Sequence, residues 1–330
     1  MGALIQECDV TFTLDQQLVC RHSQCDLHTT TNIVNTPLNA KCAIPFVPFE
    51  AATKTPATAK CCTSDFTLAE LGTLCAKMDA SNSRALTPQE FVSGTPMFRT
   101  DLYSLPGTCE PILSFSEYIS LVESLGPGKM QFTPELKSPE VSMPFPNSNS
   151  SFTQQRYAQA VVDEFTSRGI SPSRVWLQSF DLRDILYWIK ATPEFAKQAI
   201  LLDESADYGP MENSVANLTE FKKLGVKIVG PPLPYLVETN KRGEIIPSKY
   251  AKKAKELGLG IITWSLERSG WLGDGTGGGY YFATVVNVTR REGDVYKLLD
   301  VLARDVGVQG VFSDWSATVT YYANCFGIFP

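Results

Sequence analysis

Apolar positions Leu4, Ile5, Cys8, Val10 and Phe12 interleave with polar ones and predict a strand at the start of the chain. Glu7 and Asp9 sit two apart in that run, so at a strand period of two both carboxylates point to one side. Asp15-Gln16-Gln17 reads as a turn, and the apolar run from Leu18 to Cys20 carries His22 back toward the carboxylates. From Ser114 the pattern becomes regular. Helices are expected over 115–125, 154–168, 182–191, 218–224, 249–257 and 294–306, several ended by glycine. Strands are expected over 129–135, 174–180, 199–202, 226–230, 260–266 and 310–313.

With the Glu7 strand, these make seven β-runs separated by helical patterns, which implies a parallel α/β sheet. Eight such units close a barrel. Seven would leave two unpaired edges, answered by dimer contacts, another local strand or unfolding. Residues 1–34 and 114–330 are assigned to the barrel. Residues 35–113, rich in Pro, Thr, Ser and Cys, are assigned to an insertion with short helices at 67–78 and 87–93.

Eight of the nine cysteines fall in the first third of the chain. Clustered in a loop-rich segment, they suit disulfides of an oxidising compartment. The adjacent Cys61 and Cys62 and the wide gaps fit no zinc-finger spacing. Triplets at Asn149, Asn217 and Asn287 match the N-glycosylation pattern, in keeping with secretion. The residues after Met1 do not read as a signal peptide. A net charge of −6 without a basic stripe argues against nucleic-acid binding, and no run of 18 apolar residues predicts a membrane-spanning helix.

Two carboxylates and an imidazole suit a hard divalent cation with a proton-transferring side chain. The segment Glu7-Cys-Asp9-Val-Thr-Phe-Thr-Leu-Asp15, followed by Val19-Cys-Arg-His22, resembles the E-x-D-V-x-x-T-x-D…V-x-x-H-D pattern of the glycerophosphodiester phosphodiesterase family. Glu135-Leu-Lys137 is similar to that family's E-x-K strand, Ser179-Phe180 to its S-F strand, and the stretches around Trp264 and Asp314 to its last two strands. The matches run in family order, and secreted fungal members carry a similar Cys-rich insertion. The family pattern opens with a His-Arg-Gly strand, whereas this sequence starts inside the second strand.

The resemblance implies a TIM-type (β/α) barrel of phosphodiesterase type with its first β/α unit absent. It implies that Glu7, Asp9 and Glu135 hold Mg²⁺ or Ca²⁺ and that Lys137 pairs with a phosphate oxygen. His22 would be the general acid, with Ser179, Trp264 and Asp314 lining the substrate site. Ser23 stands where the family pattern has Asp, and His28 reads as structural. The expected reaction is metal-dependent hydrolysis of a small-molecule glycerophosphodiester to sn-glycerol 3-phosphate and an alcohol. A barrel that binds phosphate-bearing ligands with impaired catalysis, or a truncated gene product, is the alternative. A glycosidase-like pair of Glu135 and Glu267 is a weaker one.

Overall fold

The computed structural model describes residues 2–94, 108–146, 152–268, 270–273 and 277–328. Contacts divide the chain into one compact unit over Gln6–Arg174 and another over Val175–Pro330 with Met1–Ile5.

The first unit is organised around strand β1 (Ile5–Phe12). Alternation puts Cys8, Val10 and Phe12 in the core, while Glu7, Asp9 and Thr11 take the other face. Phe12 meets Phe145, Phe152 and Tyr157 edge-on at 5.0–5.3 Å. After the turn at Asp15-Gln16, where Gln16 has a positive φ of 60°, β2 (Leu18–Cys20) pairs antiparallel with β1. It thus supplies the local strand that covers one side of β1, and a Cys8–Cys20 disulfide joins the two strands. The pairing also carries β1 three residues past Asp9, so the two acids sit mid-strand rather than at its end.

The Cys-rich stretch contains two small antiparallel pairs, β3 (Ile44–Val47) with β4 (Thr58–Lys60) and β5 (Cys75–Ala76) with β6 (Glu110–Pro111). Its core combines Phe66, Leu71 and Phe91 with Val19, Leu27 and Ile33 from the preceding segment. Disulfides Cys25–Cys62, Cys42–Cys61 and Cys75–Cys109 staple it. Such bridges suit a segment whose own apolar core is small. The helix expected over 67–78 is one turn only, Leu68–Leu71. Leu71, Leu74 and the following Cys75 are pulled into the core, the β5 pairing and a disulfide, which a helix could not satisfy together.

Helix Phe115–Leu125 begins where expected. Ser114 Oγ accepts from the Glu117 N–H, and the Glu117 carboxylate accepts from the Ser114 N–H at 2.8 Å. β7 (Gln131–Leu136) neighbours β1 on the side opposite β2, and the Lys137 N–H donates to the Val10 carbonyl at 3.1 Å. Helix Gln154–Ser167 packs Phe165 on Phe132 of β7.

In the second unit β8 (Gln178–Ser179), β9 (Ile200–Leu202) and β10 (Ile228–Gly230) pair in parallel order. A small hairpin, β11 (Val237–Thr239) with β12 (Ile245–Pro247), follows where the sequence reading placed no element. β13 (Gly260–Thr263) and β14 (Gly310–Val311) complete the parallel series. Ile200, Leu202, Ile228 and Ile262 form one apolar face, against which Trp176, Phe180, Trp264 and Phe312 pack. Helix Met211–Lys223 starts seven residues before the expected 218–224 stretch, because it buries only Ser214 and Leu218 and so shows little apolar periodicity. The expected 294–306 helix is α-helical over Val295–Asp300 and widens into π-helical turns over Val301–Val306 before Gly307, whose φ is 78°. Phe326 lies against Tyr322 and under the Arg304 guanidinium; the two residues at the end of the chain are outside the described ones.

Candidate metal and phosphate site

Carboxylate oxygens of Glu7, Asp9 and Glu135 lie within 4.8 Å of one another. The period of two sets Glu7 and Asp9 on one face of β1, and the neighbouring β7 brings Glu135 to them. Lys137 Nζ is 2.7 Å from Glu135 and 3.8 Å from Asp9. With all three ionised, the carboxylates against one ammonium leave a local charge near −2, which a divalent cation balances. All the donors are hard oxygens, so the residues present fit Mg²⁺ or Ca²⁺.

The electrostatics carry the same sign. Burial, and then the Asp9 charge, hold the Glu135 carboxyl well above the ordinary range, with Lys137 opposing them. For Lys137, burial works against the charge, but the Glu135 and Asp9 carboxylates outweigh it and hold its pKa up. We read the pair as a charged lysine facing a glutamate whose own charge is costly without a further cation. Tyr118 sits beside them, donating to the Gln6 carbonyl at 2.6 Å, and burial followed by Glu7 and Asp9 raises its pKa strongly.

His22 is exposed at the exit of β2 and is held from both sides. The Arg21 N–H donates to the Asp9 carbonyl at 2.8 Å, and the Arg21 guanidinium reaches Thr30 Oγ1 at 3.0 Å. The Ser23 N–H donates to Asp26 at 3.2 Å. Ser23 Oγ donates to the carboxylate of Glu140, whose φ of 51° turns the chain after Lys137 back toward this loop. A carboxylate from elsewhere in the chain therefore meets the residue after His22. Sequence reasoning missed Glu140, Asp26 and Tyr118. Only the apolar helix around Tyr118 gave any signal, and that signal was for core. His28 stacks on Phe91, and burial lowers its pKa.

The other expected residues lie in the second unit. Ser179 is buried; its Oγ donates to Asp184 at 2.9 Å and accepts from the Asp181 N–H at 3.0 Å. Trp264 follows β13, donates from Nε1 to the Gly230 carbonyl at 2.7 Å, and contacts the Phe180 and Tyr281 rings. Asp314 is exposed just after β14. Glu267 accepts from Ser313 Oγ, and burial pushes its carboxyl up to about 6.

No family model matches the sequence. Solved structures do match its fold. A protein of Silicibacter pomeroyi assigned to the glycerophosphoryl diester phosphodiesterases superposes with a TM-score of 0.58 at 16% identity, covering 99% of this chain and 85% of that one. A glycerophosphodiester phosphodiesterase of Parabacteroides distasonis gives 0.52 at 15% identity, covering 98% and 86%. A phosphodiesterase of Oleispira antarctica, solved with its product sn-glycerol-3-phosphate, gives 0.52 at 13% identity over 98% and 86%. The chain has the glycerophosphodiester phosphodiesterase type of α/β barrel fold, as the sequence resemblance implied. A protein of Arthroderma benhamiae named "Extracellular protein" is 42% identical over 253 residues, 76% of this chain and 100% of that one. The chain belongs to the same family as this fungal extracellular protein.

Proposed function

We propose that the protein is a secreted, metal-dependent phosphodiesterase that hydrolyses glycerophosphodiesters to sn-glycerol 3-phosphate and an alcohol. The observation that carries this reading is the convergence of Glu7, Asp9 and Glu135 beside Lys137, in a chain with the phosphodiesterase fold. The four disulfides and the extracellular relative support secretion.

The three carboxylates would hold Mg²⁺ or Ca²⁺, and the bound ion would supply polarisation of the phosphoryl group. Lys137 pairs with a non-bridging phosphate oxygen and orients the diester. Water adds to phosphorus and loses its proton to solvent while the bond from phosphorus to the departing alcohol oxygen breaks, and His22 protonates that oxygen. Ser179, Trp264 and Asp314 belong to the substrate walls in this reading; the partners of Ser179 make it a shaping residue more than a contact.

The test is release of sn-glycerol 3-phosphate from glycerophosphocholine, glycerophosphoethanolamine and glycerophosphoinositol, with chelator and with added Mg²⁺ or Ca²⁺. His22→Ala should lower kcat by about 10²–10⁴. Cation-dependent binding of glycerol 3-phosphate with no turnover of any diester would instead identify a phosphate-binding barrel without catalysis. Absence of both binding and turnover refutes the assignment.

A further inference from the structure

A cleft of about 680 Å³ in the second unit is lined by Gly243, Glu244, Asn287, Arg290, Arg291 and Lys297, among others. Asn287 opens the triplet Asn287-Val288-Thr289 and is exposed on the turn that follows helix Gly279–Phe282. The Thr289 hydroxyl is buried and donates to the Val285 carbonyl at 2.9 Å, fixing the shape of that turn. Of the other two such triplets, the one at Asn217 lies inside helix Met211–Lys223, and Asn149 is outside the described residues. An exposed turn is where a bulky, hydrated sugar is accommodated without disturbing packing.

Basic residues mark the same cleft. Adjacent Lys/Arg pairs occur at Lys222-Lys223, Lys241-Arg242, Lys252-Lys253 and Arg290-Arg291. The first and third are helical or end a helix; a helix must unwind before a protease can bind it in extended form. The other two are exposed and non-helical. Lys241-Arg242 forms the tip of the β11–β12 hairpin and leads directly into Gly243 and Glu244 of the cleft, while Arg290 and Arg291 line it themselves. The two pairs best presented to a trypsin-like protease thus flank the cleft on which Asn287 opens.

We propose that Asn287 carries an N-linked glycan that overlies this cleft and shields Lys241-Arg242 and Arg290-Arg291 from proteolysis outside the cell. In the modification, the Asn287 amide nitrogen bonds to the anomeric carbon of a lipid-pyrophosphate-linked oligosaccharide. The lipid pyrophosphate leaves and the amide loses one proton. Arg291 and Lys297 line the same cleft, the Lys297 ammonium paired with Asp294 at 2.7 Å. The inference rests on passage through a secretory compartment and is independent of the phosphodiesterase reading.

The full chain is secreted from yeast behind a cleavable signal, and its peptides are mapped by mass spectrometry before and after peptide-N-glycosidase treatment. The expected result is a glycan at Asn287 that the enzyme removes, leaving Asp, and that N287Q lacks. Limited trypsinolysis of native protein should cut after Arg242 and Arg291 on the order of tenfold faster in N287Q, with the helical pairs unchanged. Enzymatically deglycosylated wild type provides the same comparison should N287Q secrete poorly. A disulfide-bonded secreted protein with bare Asn287 overturns the proposal, and equal cleavage rates with and without the glycan overturn the shielding.

Discussion

Replacing Lys137 by Met tests the charge balance of the candidate site. The Lys137 side chain is 14% exposed and its partner Glu135 9%, so the substitution leaves the buried Glu135 carboxyl, and Asp9 beside it, without the Lys137 ammonium. Removing one member of a buried pair costs about 3–5 kcal/mol, and the 21% exposure of the Asp9 side chain brings the expectation to about 2–3 kcal/mol. For a unit of this size that is roughly 4–12 °C in Tm under chelating conditions. A divalent cation should reverse the loss, because it supplies the missing positive charge. It should also bind K137M more tightly than wild type, since the ammonium that repels it is gone. At a cation concentration 100 times Kd, binding alone contributes about 2.7 kcal/mol. Differential scanning fluorimetry with and without Mg²⁺ and Ca²⁺, together with calorimetric Kd values, gives both quantities. Turnover should fall even as cation affinity rises, since Lys137 is assigned to the phosphate. An unchanged Tm in chelator, or weaker cation binding by K137M, refutes this account of the cluster.

Three further outcomes are expected. Asp26 is buried, and burial raises its carboxyl to about 6, so the folded state holds the proton more tightly than the unfolded state does. That contribution is full below the unfolded pKa of about 4 and is lost as pH rises through about 6, a loss of roughly 3 kcal/mol. Asp26→Asn should therefore raise Tm at pH 7.5 relative to wild type and have little effect near pH 4, and the reverse pattern in a melting series would refute it. Thiol titration of denatured, unreduced secreted protein should find one thiol, Cys325, and nine after reduction. Three or more before reduction would contradict the four bridges. Ser179→Ala should lower stability by about 1–2 kcal/mol, through the lost Asp184 and Asp181 hydrogen bonds, and change KM little; a large KM change with unchanged Tm would make Ser179 a substrate contact.

Local signals sufficed for much of the architecture. Helix Phe115–Leu125 was legible because the Ser114 cap, the apolar spacing and Gly126 all agree, and β1 because apolar Cys8, Val10 and Phe12 alternate with polar Glu7, Asp9 and Thr11. That alternation alone put Glu7 and Asp9 on one face, and the ordered motifs named Glu135 and Lys137 as their partners. Elements held by distant contacts were not legible. The short helix at Leu68–Leu71 is cut off by packing and a disulfide, and the polar first half of Met211–Lys223 carries no periodic stripe. The disulfide pairing, β2 as cover for β1, the carboxylate that Glu140 brings to Ser23, and the raised pKa of Glu135 depend on which groups tertiary packing sets side by side. Periodicity reports what a residue's own neighbours in the chain impose. Burial and charge are set by residues that are remote in sequence, and for these only the folded chain decides.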